Sequence, residues 1–117
     1  MRVIARSTLV AFLGTLTGRI ERGAVKAALD AWFHEVERAQ WKNSRDIKLA
    51  YRHASIIDAE RVVFNIKGNS YRLVTAVDYL RQSVFIKWLG SHAEYDEIDV
   101  RTVLYGHQTY QKRPRSR

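Results

Sequence analysis

His92 and Tyr95 lie three residues apart in Ser91-His92-Ala93-Glu94-Tyr95-Asp96-Glu97-Ile98, a run that predicts a short capped helix. Side chains at i and i+3 share a helix face, so an imidazole and a phenol would point the same way. Both groups can pass protons, imidazole near neutral pH. Cleavage of RNA by its own 2′-hydroxyl needs a base, an acid for the departing 5′-oxygen, and cationic stabilisation of the crowded phosphate. Two ordinary surface residues would show the same spacing, so the chemistry depends on what stands beside the pair.

The preceding segments set cations there. Arg61-Val62-Val63-Phe64-Asn65-Ile66-Lys67 alternates, Gly68-Asn69 marks a tight turn, and Tyr71 to Asp78 resumes as a strand. A second turn near Leu80-Arg81 leads into Val84-Phe85-Ile86-Lys87-Trp88-Leu89, completing an antiparallel meander. A two-residue turn at Gly68-Asn69 sets Lys67 opposite Ser70, Asn65 opposite Arg72 and Val63 opposite Val74. An even second turn sets Val74 opposite Lys87 and Leu73 opposite Trp88. Arg61, Asn65, Lys67, Arg72 and Lys87 then share one side, while Val62, Phe64, Ile66, Tyr71, Leu73 and Val77 form the apolar side. An odd turn would drive the Lys87 ammonium into the core, where it is costly unless paired. Any half-exposed sheet has one wet face and would give this pattern. Here that face carries no Asp or Glu within the strands except Asp78 at a turn, and it leads directly to His92 and Tyr95.

Earlier elements must cover the apolar side. Met1 to Ile4 reads as a strand, followed by an amphipathic helix with Ser7 as N-cap and Leu9, Phe12, Leu13 and Leu16 as its stripe, ending near Thr17. Ala24 to about Trp41 predicts a second helix with Val25, Ala28, Leu29, Trp32, Val36 and Ala39 on one face. The expected fold class is therefore α+β: an N-terminal strand and a helical hairpin packed on an antiparallel meander, with a short C-terminal helix. Lys42 to Glu60 is polar and mixed and reads as mostly loop, with Lys48 and His53 as minor candidates.

Composition narrows the partners. A chain of 117 residues with 46% hydrophobic residues is a single globular domain. Its net charge of +8 favours a polyanion or an acidic protein. No apolar stretch approaches the roughly 20 residues needed to span a bilayer, and Met1 to Arg6 has a charge at each end of a short apolar run, unlike a signal peptide. Without cysteine, disulfides and thiolate metal sites are excluded and a cytoplasmic location is expected. His34, His53, His92 and His107 lack metal-ligand spacing, and no phosphate-binding glycine loop or nucleophile motif occurs, so no metal or cofactor is expected. The tail Gln111-Lys112-Arg113-Pro114-Arg115-Ser116-Arg117 places four cations in seven residues.

The run from Arg61 to Val74, and the run from Val84 to Asp96 ending in His92-Ala93-Glu94-Tyr95-Asp96, resemble the sheet and H-x-E-Y-D signatures of HigB-type toxins in the RelE-like superfamily. The resemblance covers about residues 1–100 and implies a RelE-like toxin domain there; 101–117 departs from the family pattern and, from its composition, is expected to be a basic, partly disordered extension. It also implies endonucleolytic cleavage of mRNA, typically on the ribosome, and neutralisation by a helix-turn-helix antitoxin; the missing ligand cluster makes that cleavage metal-independent by expectation. Carried over by position, Arg72 contacts the scissile phosphate, Lys87 stabilises the same charge, and His92 and Tyr95 handle the protons. Arg61, Asn65, Lys67 and Asn69 become RNA contacts. A non-catalytic nucleic-acid-binding module, or a RelE-like toxin with another target, would fit the same basic sheet.

Overall fold

The computed structural model describes residues 1–4 and 6–103. Along them run β1 (Arg2–Ile4), α1 (Arg6–Gly14), α2 (Arg22–Arg38), α3 (Ser44–Ala50), β2 (Ser55–Ile56), β3 (Arg61–Ile66), β4 (Tyr71–Asp78), β5 (Ser83–Ser91) and α4 (His92–Tyr95). The strands form one five-stranded sheet in the order β1-β5-β4-β3-β2. β2 to β5 pair antiparallel, and β1 joins the edge parallel to β5, with Val3 beside Val84. The expected α+β architecture, with its antiparallel meander, is what the chain adopts.

α1 and α2 cover one face of the sheet. Leu9 and Phe12 of α1, and Val25, Leu29, Trp32 and Val36 of α2, are buried against Val62, Phe64, Ile66, Leu73, Val77, Val84, Ile86 and Leu89. Phe64 is the hub: Trp32 meets it edge-on at 5.4 Å, Tyr51 edge-on at 5.1 Å, and Trp41 stacks on it at 6.1 Å. α2 ends at Arg38, short of the Trp41 expected from its periodicity, because the chain turns extended at Ala39 and returns Trp41 to the core.

Two differences from the sequence reading have physical causes. The segment expected as loop contains α3 and β2. Asn43 caps α3 by accepting from the Asp46 N–H, and only Ile47 of that helix is buried, so it leaves almost no periodic signal. Its neighbour β2 is two residues long.

The second difference lies between β4 and β5. The pairing follows the even turn through Thr75↔Ile86, then shifts by one at a bulge, so Val74 faces Trp88 and Leu73 faces Leu89. Lys87 is the extra residue, a common means of re-aiming a strand. The expected pairs Val74–Lys87 and Leu73–Trp88 are thereby replaced, and Trp88 leaves the helix-covered core for the opposite face.

That opposite face is not simply wet. Val63, Val74 and Trp88 form a buried row on it, covered by Ile98 and Val103 from the segment after α4. The packed body therefore continues to Val103. Residues 104–117, which include the basic tail, lie outside the described residues.

Candidate active site

The β3–β4 hairpin delivers Arg72 in the expected register, opposite Asn65 on one side and Gly90 on the other. At the hairpin tip the left-handed residues are Lys67 (φ 55) and Gly68 (φ 63), one position earlier than Gly68-Asn69. Asn69 is thus left to hold the arginine. Arg72 Nη1 donates to the Asn69 carbonyl at 3.0 Å and Nη2 to Asn69 Oδ1 at 2.9 Å, with a longer contact from Nη1 to the Tyr71 carbonyl. These bonds fix the guanidinium plane, and its five N–H groups leave donors for an anion.

α4 grows straight from the end of β5. Ser91 Oγ accepts from the Glu94 N–H while Glu94 Oε1 accepts from the Ser91 N–H, a reciprocal cap that starts the helix at His92. The His92 N–H donates to the Ser70 carbonyl at 3.0 Å, tying α4 to the hairpin. The His92 side chain is exposed and Tyr95 is half-buried, its ring 6.3 Å from the Trp88 ring. Burial pushes the Tyr95 phenol above its ordinary pKa; the Arg72 guanidinium pulls the other way and Asp96 adds to the rise. Arg72 and Tyr95 therefore share one electrostatic environment, and the phenol keeps its proton at neutral pH.

Two glycine and tryptophan positions shape this corner. A Cβ on Gly90 would stand 2.5 Å from the Trp88 ring, so only glycine lets the indole lie across the strand opposite Arg72. Neither residue carries a chemical signal in the sequence, and the role of Gly90 follows from the bulge.

Between the hairpin and the α3–β2 turn lies an open cavity of about 560 Å³, lined by Ala50, Tyr51, Arg52, His53, Ala54, Asn65, Gly68 and Asn69. Lys48 Nζ donates to the carbonyls of Arg52 and Ala54 at 2.7 and 2.8 Å, which makes it the support of that turn. His53 reaches the cavity wall, and Arg52 joins it without having been singled out from sequence; a short loop gives no pattern by which to find it.

The remaining cations fall elsewhere. Lys67 is exposed at the hairpin tip. Lys87 sits at the bulge with its ammonium 5.6 Å from the Phe85 ring centre, lining a second cavity with Arg61 and Glu60. The buried row of Val63, Val74 and Trp88 stands between these residues and the Asn65–Arg72–Gly90 row. Arg61, expected as an exposed cation, is 8% exposed and donates to main-chain carbonyls. The structure thus gathers Arg72, Asn69, Asn65, His92 and Tyr95 at one end of the face and sets Arg61 and Lys87 at the other. Among the described residues, no three His, Asp or Glu side chains gather as they would to hold a metal ion.

Helices on one face of a five-stranded mixed sheet, with a hairpin arginine beside a short helix that follows β5, are consistent with a RelE-like fold. The family model of the HigB toxin, the RelE-like toxic component of a toxin-antitoxin system, matches residues 25–98, more than half of the 117-residue chain, and the chain belongs to that family. A search of curated proteins finds no match. Membership makes the protein a toxin whose partner is an antitoxin. Among the described residues, no helix is long and apolar enough to cross a membrane.

Proposed function

We propose that this toxin is a metal-independent endoribonuclease that cleaves mRNA, acting in the cytoplasm on RNA engaged with the ribosome and restrained by a helix-turn-helix antitoxin. The observation that carries the reading is the Arg72 guanidinium, held flat by Asn69, beside a half-buried, protonated Tyr95 and an exposed His92 on one short helix. A phosphate seated on Arg72 would lie beside the helix that carries both proton-handling groups. His92 takes the proton from the 2′-hydroxyl, and its oxygen attacks phosphorus. The bond to the 5′-oxygen breaks as Tyr95 donates its proton to that leaving group, giving a 2′,3′-cyclic phosphate and a 5′-hydroxyl end.

RNA adjoining the cleaved bond would run along the hairpin, with Lys67 at its tip and Asn65, Asn69 and His53 at the cavity. Lys87 is three residues from Gly90, about 10 Å along the strand, so it is suited to a neighbouring phosphate more than to the one on Arg72. The test is single-turnover cleavage of RNA, free and ribosome-bound, by Arg72→Ala, His92→Gln and Tyr95→Phe. The reading expects folded proteins that bind antitoxin and no longer cut. Parent-rate cleavage by all three would place the chemistry elsewhere, and RNA binding without new RNA ends in the parent protein would make it a non-catalytic binding module.

A further inference from the structure

Arg61 opens β3 at the end of the second face away from Arg72. Its Nη1 donates to the Val103 carbonyl at 2.7 Å and to the Val100 carbonyl at 3.3 Å. Beside it, Asp58 Oδ1 accepts from the Glu60 and Arg61 N–H groups, and Asp58 Oδ2 lies 3.6 Å from the Arg101 guanidinium. One corner of the sheet therefore grips residues 100–103 through two different charges. Packing alone does not need this: a buried guanidinium is costly to desolvate, and an apolar side chain would fill the same space more cheaply. What the charge adds is direction, because its bonds fix where two carbonyls sit.

The gripped segment is the continuation of α4. Ile98 and Val103 lie over Trp88, Val74 and Val63, and Tyr95 packs against the same cluster. Within the segment, the Thr102 and Val103 N–H groups donate to the Asp99 carbonyl, and the Ile98 N–H to the Tyr95 carbonyl. α4 is consequently tied at both ends. At His92 the ties are the serine–glutamate cap and the bond to Ser70. After Tyr95 the tie is the segment that Arg61 holds.

We propose that Arg61 is a positioning residue: by holding the Val100 and Val103 carbonyls, it fixes the segment that keeps Tyr95 on Trp88 beside Arg72. Its effect is selective. Releasing the segment frees Tyr95 and leaves the cap at His92 and the Asn69 grip on Arg72 in place. The cleavage readout depends on the nuclease reading; the positioning itself does not.

The experiment uses the full chain with Arg61→Met, which keeps length and apolar bulk, and Arg61→Lys, which keeps the charge. Arg61→Met should slow single-turnover RNA cleavage by about 10- to 100-fold, the scale of a small misplacement of a reacting group. Its RNA affinity should stay within about twofold, since no phosphate contact is lost. Amides of Ile98, Thr102 and Val103 should exchange faster with solvent. The Tyr95 phenol, read as the difference from a matching Tyr95→Phe background, should titrate closer to its ordinary value. Arg61→Lys should recover part of each change, and it provides the same comparison if Arg61→Met does not fold. Lost affinity and a shallower salt slope, with exchange and saturated cleavage unchanged, would make Arg61 an RNA ligand and overturn the proposal. Faster exchange with Tyr95 titration unmoved would reduce the segment to packing and overturn it too. If the parent protein cuts no RNA, the nuclease reading fails, and exchange and Tyr95 titration still decide whether Arg61 positions Tyr95.

Discussion

Tyr95 differs from His92 in how much of its environment the fold has built. Its phenol is held against Trp88 and raised by burial, against the pull of Arg72, so its neutral form persists through the physiological range. Cleavage that needs this proton should hold its rate as pH rises through neutrality and decline only beyond the ordinary tyrosine value of about 10. A pH profile of single-turnover cleavage checks this, and Tyr95→Phe should lose about 10²- to 10⁴-fold while erasing the alkaline limb. Arg72→Ala should slow the chemical step about 10²- to 10³-fold. Lys87→Ala, by contrast, should weaken RNA binding more than it slows saturated cleavage, and a larger effect on the rate than on affinity would return Lys87 to the reacting phosphate. Sequence spacing put His92 and Tyr95 on one turn and Arg72 on the face leading to them. It also set Arg61 and Lys87 in the same group, because alternation tells which face a residue takes and is silent about what later covers that face. The segment carrying Ile98 and Val103 does the covering, and its two apolar residues have no period from which to read it.

Element pairing shows where pattern stops being informative. A single glycine-containing turn fixed the β3–β4 register, and Asn65 does face Arg72. The β4–β5 register needed the bulge at Lys87, which an unbroken run from Val84 to Leu89 conceals, since either Trp88 or Leu89 could belong to the core. The bulge explains a demand on Gly90, whose missing Cβ makes room for the Trp88 ring. Gly90→Ala should push that ring toward Tyr95, destabilise the protein by about 1–3 kcal/mol as overpacking does, and slow cleavage. Thermal melting and cleavage measured together check it, and an unchanged melting temperature would show that the indole relocates without cost. On the helix-covered face, Phe64→Ala removes the ring on which Trp32, Trp41 and Tyr51 converge. Its expected cost is about 3–5 kcal/mol, measured by denaturant unfolding, with antitoxin binding lost only as the fold is lost.

For the whole molecule, net charge and buried phenols set the conditions of use. With a charge of +8, binding to RNA should weaken steeply with salt, and removing Lys112 to Arg117 should flatten that slope while leaving saturated cleavage nearly unchanged. Production of the toxin alone should halt growth, and its antitoxin should relieve the arrest. Tyr51, Tyr71, Tyr79 and Tyr95 all have phenols raised chiefly by burial. The unfolded chain therefore ionises first: stability from these groups is fully present below pH about 10 and is lost as pH rises through their folded values, which alkaline unfolding followed by tyrosinate absorbance would show. The edge strand carries a consequence of a different kind. Among the described residues β1 pairs with β5 alone, so Arg2 must wait for Ser83 before it has that partner. Closing so long a loop is entropically slow. During synthesis β1 stays without that partner until β5 has been made. The newborn toxin thus passes through an interval in which its sheet is incomplete, and the candidate site residues His92 and Tyr95, which follow β5 directly, are made only as that interval closes.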